Sequence, residues 1–385
     1  MIARLRLARQ PQVTFPPGNA EKKWMNRRLS ALIFAFLFSA LATSSGSAEP
    51  KCPSLRRWLI AATKNLKNQH LDGIPIKLVK EGDLKPAQMR KMFEPISKLN
   101  RTGTHLEKPE FLEIVASRFS DDPEFTPFVN RLRVPYRFKD PSGQTKSPKS
   151  TQVMIAHEYG HAVFYATLKK RHPTFYKKMS ELHAKLREIE QVTSGIEARQ
   201  REIEKLLGEV EASATPSKEK MNELATEHAK LRSSLIQASE KEKITHAEYG
   251  PYKQLLAPYG EFFADTVVVQ AYRDPSIIRR VLDFPGTKND PSKIALRSRD
   301  FSVRHVLDSW DYEEPHVLLG PSRHEVWNRY LSQPELANRP EPLSRVFDAI
   351  VSELKARDIT APPLSPAELN RRLMKALENE FERPL

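Results

Sequence analysis

The chain has 385 residues, of which 39% are hydrophobic and 29% charged, enough for one large folded domain or two ordinary ones. Its formal net charge is +14, but residues 1–48 hold seven Lys/Arg against one Glu, so +6 belongs to that leader and +8 to the rest. No later segment interleaves Lys/Arg with aromatics as a nucleic-acid surface would require, and the single cysteine, Cys52, excludes both an intramolecular disulfide and a Cys-rich zinc site.

Residues 1–48 read as leader and signal peptide. Lys22, Lys23, Arg27 and Arg28 precede the thirteen-residue apolar stretch Leu29 to Leu41, and small residues then lead to a cleavage site after Ala48. Thirteen apolar residues fall short of the roughly 20 needed to span a bilayer. Only if that segment stays uncleaved would it anchor the protein to a membrane. Met25 offers an alternative start, which would leave residues 1–24 untranslated. The expected compartment is the periplasm or the exterior. Cys52 does not read as a lipidation site, because Ala48-Glu49-Pro50-Lys51 lacks the small apolar run such signals carry.

Residues 49–150 read as a mixed α/β region. Helical spacing covers Leu55 to Lys67, and Ile74 to Val79, Phe111 to Val115 and Arg131 to Phe138 read as strands. Pro135 suits an edge better than a sheet centre, and the last of these strands is one against which a peptide could lie. Lys139 to Ser150 reads as a loop by its Pro, Gly and Ser, with helices from about Thr151.

Residues 174–246 carry a different pattern. Met179, Leu182, Leu186, Ile189, Thr193, Ile196, Gln200, Ile203, Leu207 and Val210 recur at alternating spacings of three and four. A second seam runs through Met221, Leu224, His228, Leu231, Leu235 and Ala238. Pro216 and its small polar neighbours fit a turn, so the segment reads as an antiparallel coiled-coil hairpin. A seam histidine such as His228 reads as packing. Residues 247–335 and then 336–385 continue as helices, with amphipathic stretches over Leu343 to Leu354 and Pro366 to Phe381.

The chemistry concentrates in His157-Glu158-Tyr159-Gly160-His161. On a helix, positions i and i+4 share a face, so both imidazoles point at one place and suit zinc, leaving a coordination position open. Glu158, rotated off that direction, can serve as general base for a metal-activated water. Apolar residues on both sides of the motif bury this helix, where two imidazoles and a carboxylate need partners. For a third ligand, Glu261 and Asp265 stand at i and i+4 in a second apolar segment. Glu261 is the candidate ligand, and Asp265 a candidate acceptor for the free N–H of a ligating imidazole, most simply His157. The plainer alternative makes Glu261 a carboxylate favoured by a helix N-terminus and turns Asp265 to solvent.

H-E-x-x-H followed by E-x-x-x-D on a second helix resembles the gluzincin, or thermolysin-like, zinc metallopeptidases. The resemblance covers about 150–270 and 305–331, with the hairpin as an insertion in the 100 residues between His161 and Glu261. It implies a zincin-like α+β fold, a small mixed sheet followed by a mostly helical part. It further implies that His316 is an oxyanion donor oriented by Asp311, five residues before it, and that Tyr252 is a second oxyanion-stabilising residue. The family's Asn-Ala clamp on the substrate backbone has no counterpart before the motif. The expected function is an exported zinc metallopeptidase, an endopeptidase unless its cleft is closed at one end, acting on peptides or proteins without nucleic acid. A non-peptide amide or ester substrate is one rival. The other is an envelope interaction protein in which the coiled coil 174–246 works as a docking or self-association arm and the metal site is structural or degenerate.

Overall fold

A computed structural model describes residues 67–102, 105–120, 122–139, 143–213, 215–283, 291–305, 314–333 and 341–383. The signal segment, Cys52, the helical spacing of 55–66 and Asp311 lie outside the described residues. The described chain forms two compact units, residues 187–242 and a larger body on either side of them in sequence. The architecture is mixed α+β, dominated by helices, with one small mixed sheet.

The sheet has five strands, β1 (Lys67–Leu71), β2 (Ile74–Glu81), β3 (Leu112–Ser120), β4 (Glu124–Thr126) and β5 (Arg131–Phe138). Their spatial order is β1-β2-β3-β5-β4, with β2–β3 and β3–β5 parallel and the two outer pairs antiparallel. Asp72 and Gly73 close the first hairpin with φ of 51° and 83°, as a tight two-residue turn requires. Strand β4 covers only Arg131 to Arg133 of β5, so among the described residues Pro135 falls where that side of β5 has no strand and its missing N–H breaks no ladder. Helix α1 (Pro86–Thr102), which no spacing argument marked out, crosses from β2 to β3 and buries Met92, Ile96 and Leu99 against the sheet's Leu112, Ile114 and Leu132.

Helix α2 (Pro148–Arg171) begins three residues before the expected start. Pro148 sits in its first turn, where its missing N–H costs nothing, and Ser147 caps it by accepting from the Ser150 amide, so Pro148 to Ser150 are helix rather than loop. Tyr159 donates to Asn100 Oδ1 at 2.7 Å and Asn100 to Asp72, locking α2 to α1 and the first hairpin.

Helices α3 (Pro173–Glu211) and α4 (Lys218–Tyr272) form the hairpin, but α4 does not end with it. The second seam and the Glu261 helix, expected as separate pieces, are one helix through Pro251 and Pro258. Each interior proline removes one helical hydrogen bond, a loss set against burial of Leu256, Tyr259, Phe262 and Phe263 in the body. In the 187–242 unit Ile203, Leu224 and Ala238 are buried on the seam. Arg199 forks onto Glu227 at 2.7 and 3.0 Å, and His228 lies 3.6 Å from Glu204.

After α4 come α5 (Ile277–Leu282), α6 (Pro291–Ser298), α7 (Pro315–Leu318), α8 (Gly320–Val326) and a π-helical turn, Trp327–Leu331. Helices α9 (Glu341–Lys355) and α10 (Pro366–Glu382) close the core, where Phe347 meets Phe164 and Phe263 at 5.4 and 5.2 Å.

Candidate metal centre

Gly160 sets the approach of the two helices that form the site. A Cβ there would lie 2.9 Å from Ala264 Cα, so only glycine lets α2 and α4 touch at this point. Glu261, three residues before Ala264 on α4, thereby meets the face of α2 that carries His157 and His161. Their donor atoms lie within 4.8 Å of one another, and this buried group could hold a metal ion.

The spacing fits an ion. The two histidine Nε2 atoms are 3.2 Å apart, and Glu261 Oε2 lies 3.1 Å from His157 Nε2 and 3.5 Å from His161 Nε2. Ligands at about 2.0–2.2 Å in a tetrahedron stand about 3.3–3.6 Å apart, close to these separations. Oε2 is buried yet accepts no well-aligned hydrogen bond, an orphan acceptor that a cation would satisfy.

The tautomer of His157 follows from its other side. Asp265 Oδ1 and Arg299 Nη2 both lie 2.9 Å from His157 Nδ1. Asp265 is held as a carboxylate. Burial alone would raise its pKa, but Arg299 and Arg323 hold it far below the usual range. We therefore assign the Nδ1 proton to the bond with Asp265, which leaves the Nε2 lone pair facing Glu261 and His161.

Asp265 is itself clamped. Arg299 reaches Oδ1 through Nε at 3.0 Å and Nη2 at 2.7 Å, and Arg323 reaches Oδ2 through Nε at 3.1 Å. Asp265 and Arg323 are wholly buried. Arg323 also donates to the His316 carbonyl at 2.6 Å, tying α7 to the back of the site. Nothing in the sequence singles out these two arginines, whose spacing matches no motif and whose types are ordinarily exposed.

Glu158 stands apart from the ligand group and accepts from the Phe125 amide of β4 at 2.9 Å. His316 Nε2 lies 2.9 Å from Glu261 Oε2, and its Nδ1 meets Glu314, the cap of α7. Among the described residues Glu314 is thus the carboxylate on His316 Nδ1, while the expected partner, Asp311, lies outside them. Burial would lower the His316 pKa, but Glu261 and Glu314 raise it to about 9. Burial likewise opposes charge on His161, and the Glu261 carboxylate overrides it and raises that pKa. Glu261 is held well below its ordinary value against burial, by His161 and His316.

The contact that Tyr252 makes lies elsewhere on the helix. Tyr252 precedes Glu261 by nine residues on one continuous helix, about 14 Å of rise, and its ring packs on Phe175 at 5.4 Å. Family models, curated proteins and solved structures were compared with the chain, and none matches it. What the site can do therefore rests on its own geometry.

Proposed function

We propose that the chain is an exported zinc-dependent metallopeptidase of zincin-like fold that hydrolyses peptide bonds with Glu158 as general base. The observation that carries this is the meeting of His157, His161 and Glu261 in one ion-sized group, with the non-ligating carboxylate of Glu158 one residue along from a ligand. A site that only holds a metal needs ligands but no spare base. Zinc held there would act as a Lewis acid toward water and the substrate carbonyl.

Glu158 takes a proton from the attacking water as the water oxygen bonds to the carbonyl carbon. It delivers that proton to the amine nitrogen as the C–N bond breaks. His316 is the donor for the developing oxyanion once Glu261 turns to the cation. Asp265 keeps His157 in the ligating tautomer, and the two arginines keep Asp265 charged. The leader residues direct export to the periplasm or beyond, and the hairpin offers a docking arm for a partner or a second copy.

The test is the metal content of the purified mature chain, with casein cleavage, in wild type, Glu158→Gln and Glu261→Gln. The reading expects one equivalent of zinc, kept in Glu158→Gln with proteolysis lost, and weakened binding in Glu261→Gln. Wild type without zinc would overturn it and leave the hairpin as the working part.

A further inference from the structure

The ligand helix carries one more polar group on its ligand face. Tyr165 follows His161 by four residues and His157 by eight, so all three project from the same side of α2. Helix side chains lean toward the N-terminal end, which lays the Tyr165 ring back over the turn that carries His161.

That ring is caged. Phe164 meets it edge-on at 5.7 Å, Phe128 at 5.3 Å and Phe125 at 6.1 Å. Phe125 is the residue whose amide holds Glu158, so the base and Tyr165 share a wall. Phe128 is held there against its backbone preference. Its φ is +64°, a left-handed conformation that bulky residues rarely adopt, and its ring also packs on Tyr176 and His183 at 5.4 and 5.1 Å. A strained turn stabilised by packing on Tyr165 fixes the direction of the phenol.

Tyr159 on the same helix spends its hydroxyl on Asn100, whereas the Tyr165 hydroxyl has no hydrogen-bond partner among the described residues. Burial first, then the nearby Tyr249 and the Glu261 charge, raise its pKa, so the group stays protonated and can only donate to an anion.

We propose that the Tyr165 hydroxyl is a catalytic hydrogen-bond donor to the substrate carbonyl oxygen, an inference that rests on the peptidase reading above. As the water oxygen bonds to the carbonyl carbon, the C=O π pair moves onto that oxygen, which then receives the Tyr165 O–H. The phenol keeps its proton throughout, and the pair returns to the carbon as the C–N bond breaks. Tyr165 therefore takes the role for which the family resemblance would nominate Tyr252.

The experiment uses the full zinc-loaded chain and Tyr165→Phe, a change of one oxygen in a cage that stays filled. It measures kcat and KM on a peptide, affinity for a peptide phosphonamidate by calorimetry, zinc equivalents and Tm. The phosphonamidate presents an anionic tetrahedral centre in place of the adduct. The expected result is a kcat lower by about 10²-fold with KM within about threefold, and phosphonamidate affinity weakened in parallel, with zinc and Tm unchanged. Wild-type kcat and phosphonamidate affinity in Tyr165→Phe would overturn the inference, as would a kcat loss that tracks lost zinc or lowered Tm. A wild-type chain that holds zinc but neither cleaves peptide nor binds the phosphonamidate would instead overturn the peptidase reading, and this inference with it.

Discussion

Replacing Asp265 with Asn tests the clamp behind the ligands at almost constant shape. The wild-type carboxylate accepts from Arg299 on Oδ1, from Arg323 on Oδ2 and from His157 Nδ1, with Asp265 and Arg323 fully buried. Asparagine leaves two guanidiniums without a counter-charge in the interior, and removing one partner of a buried pair costs about 3–5 kcal/mol. At about 2–4 °C per kcal/mol for a body of this size, Tm should fall by about 6–20 °C. His157 also loses the anionic acceptor that sets its tautomer, so zinc affinity should drop about 10–100-fold.

The pH dependence carries a sign that can be checked. The folded pKa of Asp265 lies far below the ordinary carboxylate value, so its stabilisation is present above the unfolded pKa of about 3.9 and is lost as pH falls below it. Below that point this one group should remove up to about 1.4 kcal/mol of wild-type stability per pH unit, a component absent from Asp265→Asn. Urea unfolding at pH 7 and stepwise from pH 5 to 2.5, with a zinc competition titration, reads all three effects. A cost under about 1 kcal/mol at pH 7 with an unchanged acid slope would refute the reasoning.

Gly160→Ala puts a Cβ 2.9 Å from the Ala264 backbone, forcing α2 and α4 apart by about half an ångström. Overpacking of about 1–3 kcal/mol, offset by about 1 kcal/mol of helix propensity, predicts a modest Tm loss. Zinc affinity should fall at least tenfold, because coordination distances tolerate only about 0.2 Å, and unchanged zinc binding in a competition titration would count against the contact. Tyr252→Phe should leave kcat and KM within about twofold of wild type, since its ring packs on Phe175 about 14 Å of helix rise from Glu261. A kcat loss of tenfold or more would restore Tyr252 to the site.

Features written in local spacing were legible without the fold. The i, i+4 histidines and the three-four seams specify a helix face whatever lies opposite, because 3.6 residues per turn turns spacing directly into direction. Strands β2, β3 and β5 show in the same way as short runs carrying apolar residues and bounded by turn residues. Where local signals conflict with packing, the tertiary structure decides. Pro251 and Pro258 argue for breaks, yet α4 continues through both, because burial of Tyr259, Phe262 and Phe263 outweighs two lost hydrogen bonds. The contacts that complete the site belong wholly to the fold. Arg299 and Arg323 on Asp265, Glu314 on His316 and the Phe125 amide on Glu158 are meetings whose partners carry no mark of one another in the sequence. Periodicity chooses the face that a side chain occupies, but only the packing of distant segments chooses what stands across from it.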